Sequence, residues 1–399
     1  MLAFCFPGQG SQRPGMGAPW IDHPSWELVA DASDAAGRDI GSLLLHADED
    51  ELRHTRNAQL ATCTLSLVVL DAVERTGLIP GLAAGHSLGE YSALIATGAV
   101  GFEDGMRLVA ARGEAMQEAA AARPGTMAVV LGLDIDQCHE ACARATGTNP
   151  AAGVWVANDN APGQVGIAGT VEGVAAAGEI AKELGAKRVM AIPVGGAFHT
   201  PLMAPAQEQL RKALAEVRFN DADVPVVTNV DAKSHRHAVR WAEFLTRQLC
   251  SPVRWRESLS ELGAMGASML VEIGPGNVLT GLAKRGLPGV KARSVATPDD
   301  VDALLEAIAP VAHLTNAAPI AEGEHLAMRE RLVVSPAAGV FAPASVGTAV
   351  GAAVEVGGLL GTVADVDVRS AFAGTLQGML AVDGERLIEG QPVAWLMGG

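Results

Sequence analysis

The chain has 399 residues, 49% of them hydrophobic and only 19% charged. That composition supports large buried cores, argues against disorder, and makes two or three domains the starting expectation. A formal net charge of −16 works against binding nucleic acid or an anionic membrane surface, and obliges any anionic ligand to find a local basic patch.

In chain order, residues 2–7 (LAFCFP) read as a short buried strand that runs into Gly8-Gln9-Gly10. Helical patterns follow at 24–36 and 57–76, the second apolar almost all round and so central. Residues 81–86 form a second apolar strand, 89–99 a helix, and 103–122 a long helix favoured by Glu103 and Asp104 in its first turn. This alternation predicts a largely parallel sheet covered on both faces. Between 124 and 190 the pattern changes to strand 126–133, helix 135–146, strands 153–157 and 164–169, helix 171–185 and strand 187–192. That β-α-β-β-α-β order is ferredoxin-like and is inserted in the larger unit. Residues 311–327 read as a linker. Beyond them Ser335-Pro-Ala-Ala-Gly339 matches Ser370-Ala-Phe-Ala-Gly374, and Val354-Glu-Val-Gly357 matches Leu387-Ile-Glu-Gly390. Two halves of roughly 35 residues predict a small pseudo-symmetric β-barrel or sandwich.

Five cysteines show no framework spacing. Cys138 and Cys142, one helical turn apart around His139, read as buried thiols rather than as a metal site, since no second ligand pair follows. With no basic leader and no apolar run suited to a bilayer, the expectation is a cytoplasmic protein.

Gly85-His86-Ser87-Leu88-Gly89 is a G-x-S-x-G pentapeptide between an apolar strand and a helix, the context of a nucleophile elbow. Glycine is needed where the turn is sharp, and the serine then sits at a helix start that favours developing negative charge. The competing interpretation is a glycine-rich turn without chemistry. Of the ten histidines, His199 is the favoured base. It follows an apolar strand and precedes a helix that Pro201 can start, and strand ends collect catalytic groups in open α/β sheets. His86 is expected to point elsewhere, and His235 and His237 to be solvated. The Gly8-Gln9-Gly10-Ser11-Gln12 loop can bring a backbone N–H to pair with that of Leu88 as an oxyanion hole. It matches neither dinucleotide nor phosphate-loop spacing.

At these residues the chain resembles the malonyl-CoA:acyl-carrier-protein transacylases and the acyltransferase domains of polyketide synthases. The resemblance runs from residue 1 to about 295, through FPGQGSQ at 6–12, GHSLGEYSAL at 85–94, RGEAMQ at 112–117, NDNAPGQVGIAG at 158–169, FHTPLM at 198–203, RQLCSPVRW at 247–255 and VEIGPGNVLTGLAKR at 271–285. It implies Ser87 as nucleophile, His199 as base and then acid, and Gln248 at the place whose main-chain carbonyl orients the histidine. It implies the N–H groups of Gln9 and Leu88 as oxyanion hole, and Arg112 as the bidentate partner of a malonyl carboxylate. Met116 and Asn158 fall in motifs that line the substrate site. Phe198 resembles the bulky residue that selects malonyl over methylmalonyl, a discrimination worth about 1–3 kcal/mol. Where many relatives carry a serine-containing run, Gly195 and Gly196 stand here, and are expected to widen the pocket beside His199.

Residues 328–399 resemble biotinyl and lipoyl carrier domains, through EGQPVAWL at 389–396 among other runs. The hairpin that would carry the prosthetic group falls at 363–369, and no lysine follows Lys291, so neither biotin nor lipoate is expected. The fold class implied is α/β: a hydrolase-like large subdomain (1–123 and 191–310), a ferredoxin-like subdomain (124–190), and an all-β barrel-sandwich domain (328–399). The expected partners are an acyl-CoA and an acyl carrier protein docking on basic residues such as Lys182, Lys187 and Arg188, with no cofactor, metal, nucleic acid or membrane. A thioester hydrolase using the same serine and histidine, and a non-catalytic scaffold, are the alternatives.

Overall fold

The computed structural model describes residues 1–148, 153–308, 330–344, 349–364, 366–387 and 390–397. The expected linker at 311–327, Asp365 of the hairpin and Glu389 lie outside them. The chain divides into two compact units, 1–309 and 310–399.

Among the described residues the first unit holds ten strands: β1 (Leu2–Phe6), β2 (Leu82–Gly85), β3 (Thr126–Leu131), β4 (Val154–Ala161), β5 (Gln164–Gly169), β6 (Arg188–Ile192), β7 (Val226–Val227), β8 (Ser234–His235), β9 (Met269–Ile273) and β10 (Lys291–Val295). They form two sheets, ordered β10-β9-β1-β2-β7-β8 and β4-β5-β3-β6. In the larger sheet every pairing is parallel except β7 with β8. Phe4 and Phe6 of β1, like the central helix Thr55–Glu74, are buried almost completely, as continuous apolar runs in a two-sided sheet require. The smaller sheet is antiparallel throughout, and its β6 runs two residues past the boundary expected at 190. The unit is a mixed α/β fold with an additional β-sheet.

The helix expected at 24–36 is a 3-10 turn (Pro24–Glu27) followed by an α-helix (Leu28–Ala36), and the one expected at 89–99 stops at Ala96. His235 is only partly exposed: its Nε2 donates to Asp231 Oδ2 at 2.9 Å and its ring packs on Phe244. His237 is exposed as expected. Cys138 and Cys142 are buried, and burial pushes both thiols up to about 12, which suits packing rather than ligation.

Among its described residues the second unit has eight strands: β11 (Glu330–Val334), β12 (Gly339–Pro343), β13 (Ala353–Val354), β14 (Leu359–Val363), β15 (Val366–Arg369), β16 (Gly374–Met379), β17 (Arg386–Leu387) and β18 (Pro392–Met397). Two four-stranded sheets, β11-β18-β16-β13 and β15-β14-β12-β17, enclose a core that includes Phe341, Val363, Leu376 and Leu396. The repeats noted in the sequence fall on equivalent turns. Ser335 Oγ donates to the carbonyl of Ala337 and Ser370 Oγ to that of Phe372, both at 2.7 Å. Gly357 and Gly390 share the left-handed backbone (φ 82° and 83°) that glycine adopts without strain.

Candidate active site

Four loops at the carboxyl ends of β1, β2, β7 and β9 converge on one edge of the large sheet, the edge where open α/β sheets place ligands. The elbow after β2 depends on its two glycines. A Cβ on Gly85 would lie 1.9 Å from the backbone of Gly89, and one on Gly89 would lie 2.0 Å from the carbonyl oxygen of Phe6. Gly89→Ala therefore forces β1 and the helix Gly89–Ala96 apart. The expected result is a loss on the order of 1–3 kcal/mol in urea unfolding, together with loss of any Ser87 reactivity.

Between the glycines Ser87 takes φ 53°, and His199 takes φ 61°. Left-handed backbone at non-glycine residues costs about 1–3 kcal/mol each, and it persists where surrounding contacts over-determine it. Those contacts are visible at Ser87: its N–H donates to Asn229 Oδ1 at 2.7 Å and its carbonyl accepts from Gln248 Nε2 at 2.9 Å. Ser87 Oγ lies 2.7 Å from His199 Nε2, and the other ring nitrogen of His199 lies 2.9 Å from the main-chain carbonyl of Gln248. A carbonyl only accepts, so Nδ1 carries the proton and Nε2 is left free to take one from the serine. Arg112 Nη2 donates to the same Ser87 Oγ at 3.1 Å and to Gln248 Oε1 at 3.0 Å, while Nη1 donates to Gln59 Oε1 at 2.7 Å.

Burial, with the Arg112 charge next in importance, pushes the His199 pKa down to about 3. His199 is thus neutral, the form a general base needs, throughout the physiological range. Serine acylation at saturating donor should show no acid limb near pH 6.5. Single-turnover rates between about pH 5 and 8 check this.

A cleft of about 220 Å³ opens over Ser87. Gln9, Arg112, Met116, Phe198 and His199 line it from the large sheet's side, and Asn158 from β4. Gln248 stands behind His199, buried, and Leu88 is the buried residue that caps the helix Gly89–Ala96, where first-turn N–H groups have no partner within the helix. Arg112 and Met116 share one helix face at i, i+4. Gly195 has open space around it, but Gly196 does not loosen the pocket: a Cβ there would lie 2.5 Å from the Phe198 ring. The missing side chain is filled by the phenylalanine.

Sequence reasoning passed over four residues that shape the site. Gln59 lies inside an almost wholly buried helix and had no motif to mark it, yet it holds Arg112. Asn229 ties Ser87 to β2 through Gly85. Glu90, buried, accepts from Gln248 Nε2 at 2.6 Å. His86, expected to point away, lines the cleft and meets Asn160 Oδ1 at 2.8 Å. Only Glu90 and His86 lay within a quoted motif, and spacing could not tell where they would face.

A serine hydroxyl within reach of a neutral, oriented imidazole, beside a buried guanidinium, is an arrangement able to accept an acyl group and pass it on. The chain matches the acyl transferase domain family over residues 3–319 and belongs to that family. It is 41% identical over 309 residues to the malonyl CoA-acyl carrier protein transacylase of Bacillus subtilis, covering 77% of this chain and 97% of that one. The Escherichia coli K12 protein of the same name is 42% identical, covering 76% and 99%. Among solved structures, an acyl carrier protein S-malonyltransferase from Vibrio cholerae superposes with a TM-score of 0.72 at 39% identity, covering 76% of this chain and 99% of that one. A malonyl-transacylase in complex with a type II polyketide synthase acyl-carrier protein superposes at 0.73 and 39% identity, covering 77% and 99%. The family match ends before β11. Among the described residues no helix is long and apolar enough to cross a membrane.

Proposed function

We propose that the chain transfers a malonyl group from coenzyme A to the phosphopantetheine thiol of an acyl carrier protein through an ester on Ser87. The observation that carries this reading is the pair of contacts on one oxygen: Ser87 Oγ is 2.7 Å from His199 Nε2 and 3.1 Å from Arg112 Nη2. His199 takes the hydroxyl proton as Oγ attacks the thioester, then returns it to the departing sulfur. In the second half the acceptor thiol gives its proton to His199 and attacks the acyl-serine, the acyl–Oγ bond breaks, and His199 returns the proton to Ser87 Oγ. The N–H groups of Gln9 and Leu88 hold the oxyanion, and the Gln248 carbonyl holds the imidazole. Arg112, buried beside the nucleophile, is costly to leave without an anion, so a carboxylated acyl group is preferred to a neutral one. Met116, Phe198 and Asn158 bound the acyl chain. The same reading places the protein with its coenzyme A substrate in the cytoplasm.

In domain terms we read 1–123 with 191–310 as a hydrolase-like core and 124–190 as a ferredoxin-like subdomain, supported by the β4-β5-β3-β6 order. Residues 311–327 are read as a linker and 328–399 as a biotinyl- or lipoyl-like domain without its prosthetic group. Support for the last comes from two four-stranded sheets, from a central β14–β15 hairpin with Ala364 (φ 49°) in its turn, and from the absence of lysine after Lys291.

Intact-protein mass spectrometry after brief mixing with malonyl-CoA, methylmalonyl-CoA or acetyl-CoA tests the catalytic reading. A malonyl adduct on wild type, absent from Ser87→Ala, is expected. No adduct with any donor would overturn it. An adduct that water removes as fast as a carrier protein does would make the chain a hydrolase.

A further inference from the structure

Arg112 is a buried cation whose fork bonds only neutral acceptors, Gln59, Gln248 and Ser87, with the face of Tyr91 5.3 Å away. A guanidinium so placed needs an anion near by even when no acyl group is bound. One amide further on stands such a group. Glu90 Oε2 accepts from Gln248 Nε2 at 2.6 Å and from the Asn229 N–H at 3.3 Å, and Gln248 Oε1 in turn accepts from Arg112. Gln248 is therefore a dipole set between an acid and a cation, its N–H end toward Glu90 and its oxygen toward Arg112.

We propose that Glu90 is the resident counter-ion of Arg112, held one amide away through Gln248, and that it takes up a proton when the carboxylate of a loaded malonyl group reaches the guanidinium. The inference rests on the malonyl-transfer reading above. The cleft then never holds two anions against one cation, and Glu90 acts as a positioning residue that sets how strongly carboxylated acyl groups are preferred.

The surroundings permit this exchange. Burial raises the Glu90 carboxyl to about 7, against the opposing pull of Gln248, Asn229 and Arg112. Asp231, on the segment after β7, adds repulsion but is itself engaged by His235 and Thr228. Burial pushes the Tyr91 hydroxyl, on the same helix, well above its ordinary range, and it stays protonated. His199 stays neutral. Of Glu90, Tyr91 and His199, only Glu90 changes charge near neutrality. The sign follows from linkage: if loading requires a proton, the KM for malonyl-CoA rises with pH above about 7, by up to about tenfold per pH unit.

The test is proton uptake during single-turnover loading in weak buffer with an indicator dye, at about pH 7.2, where the CoA thiol keeps its proton. Transfer itself conserves protons, since the serine proton leaves on CoA sulfur. Wild type is expected to take up roughly half a proton per malonyl-serine formed, the share of Glu90 ionised beforehand at that pH, and none per acetyl-serine. Glu90→Gln, which keeps the acceptor oxygen but not the charge, is expected to take up none and to show a KM for malonyl-CoA independent of pH from about 6.5 to 8.5. Wild-type loading without uptake, or equal uptake in Glu90→Gln, overturns the proposal. The wild-type comparison of malonyl with acetyl decides it even if the variant does not fold. Failure of wild type to form a malonyl-serine would instead overturn the function reading.

Discussion

His199→Ala protein loads malonyl groups on the order of 10³-fold or more slowly than wild type, in a stopped reaction followed by mass spectrometry. The size of the effect follows from how little else can receive the Ser87 proton. Arg112, the other group on Oγ, is a donor without acceptor capacity. His86, the neighbouring imidazole, is turned toward Asn160 and Trp255. Donor binding should survive, because His199 contributes only one wall of the cleft. A rate within tenfold of wild type would remove His199 as base.

Arg112→Ala is the second large change, and it acts on selectivity. It removes a charge-assisted fork from a buried site, so kcat/KM for malonyl-CoA is expected to fall about 10²-fold or more, while that for acetyl-CoA changes far less. It also strands Gln59 Oε1 and Gln248 Oε1, each buried, at about 1–3 kcal/mol apiece. Arg112→Lys restores the charge but not the two-pronged geometry, and should recover only part of the malonyl preference. Equal losses for both donors would show that Arg112 serves the serine rather than the acyl carboxylate.

The helix Phe102–Ala122 shows how much of this was legible beforehand. Its acidic first turn marked where it starts, and the RGEAMQ run marked Arg112 and Met116 through the resemblance; that both face the cleft is seen in the structure. The pentapeptide around Ser87 was equally plain, because a strained turn leaves a mark in glycine. Gln59 left none: on an all-round apolar helix a buried glutamine and a surface one look alike. Gly196 misled for a related reason, since a missing side chain reads as space unless the ring that fills it is known.

What the sequence by itself determined is the succession of elements, Ser87 and His199 as candidate nucleophile and base, and the repeat in the last 70 or so residues, all properties of local pattern and spacing, while the roles of Arg112 and Gln248 came from the family resemblance. Only the tertiary structure decided that His199 meets Ser87 across 112 positions, that one amide, Gln248, touches nucleophile, arginine and buried acid, and that Ser87 and His199 both sit in left-handed backbone. Those facts depend on how distant segments close on one edge of a sheet, and hydrogen bonds between segments far apart in the chain leave no periodicity along it.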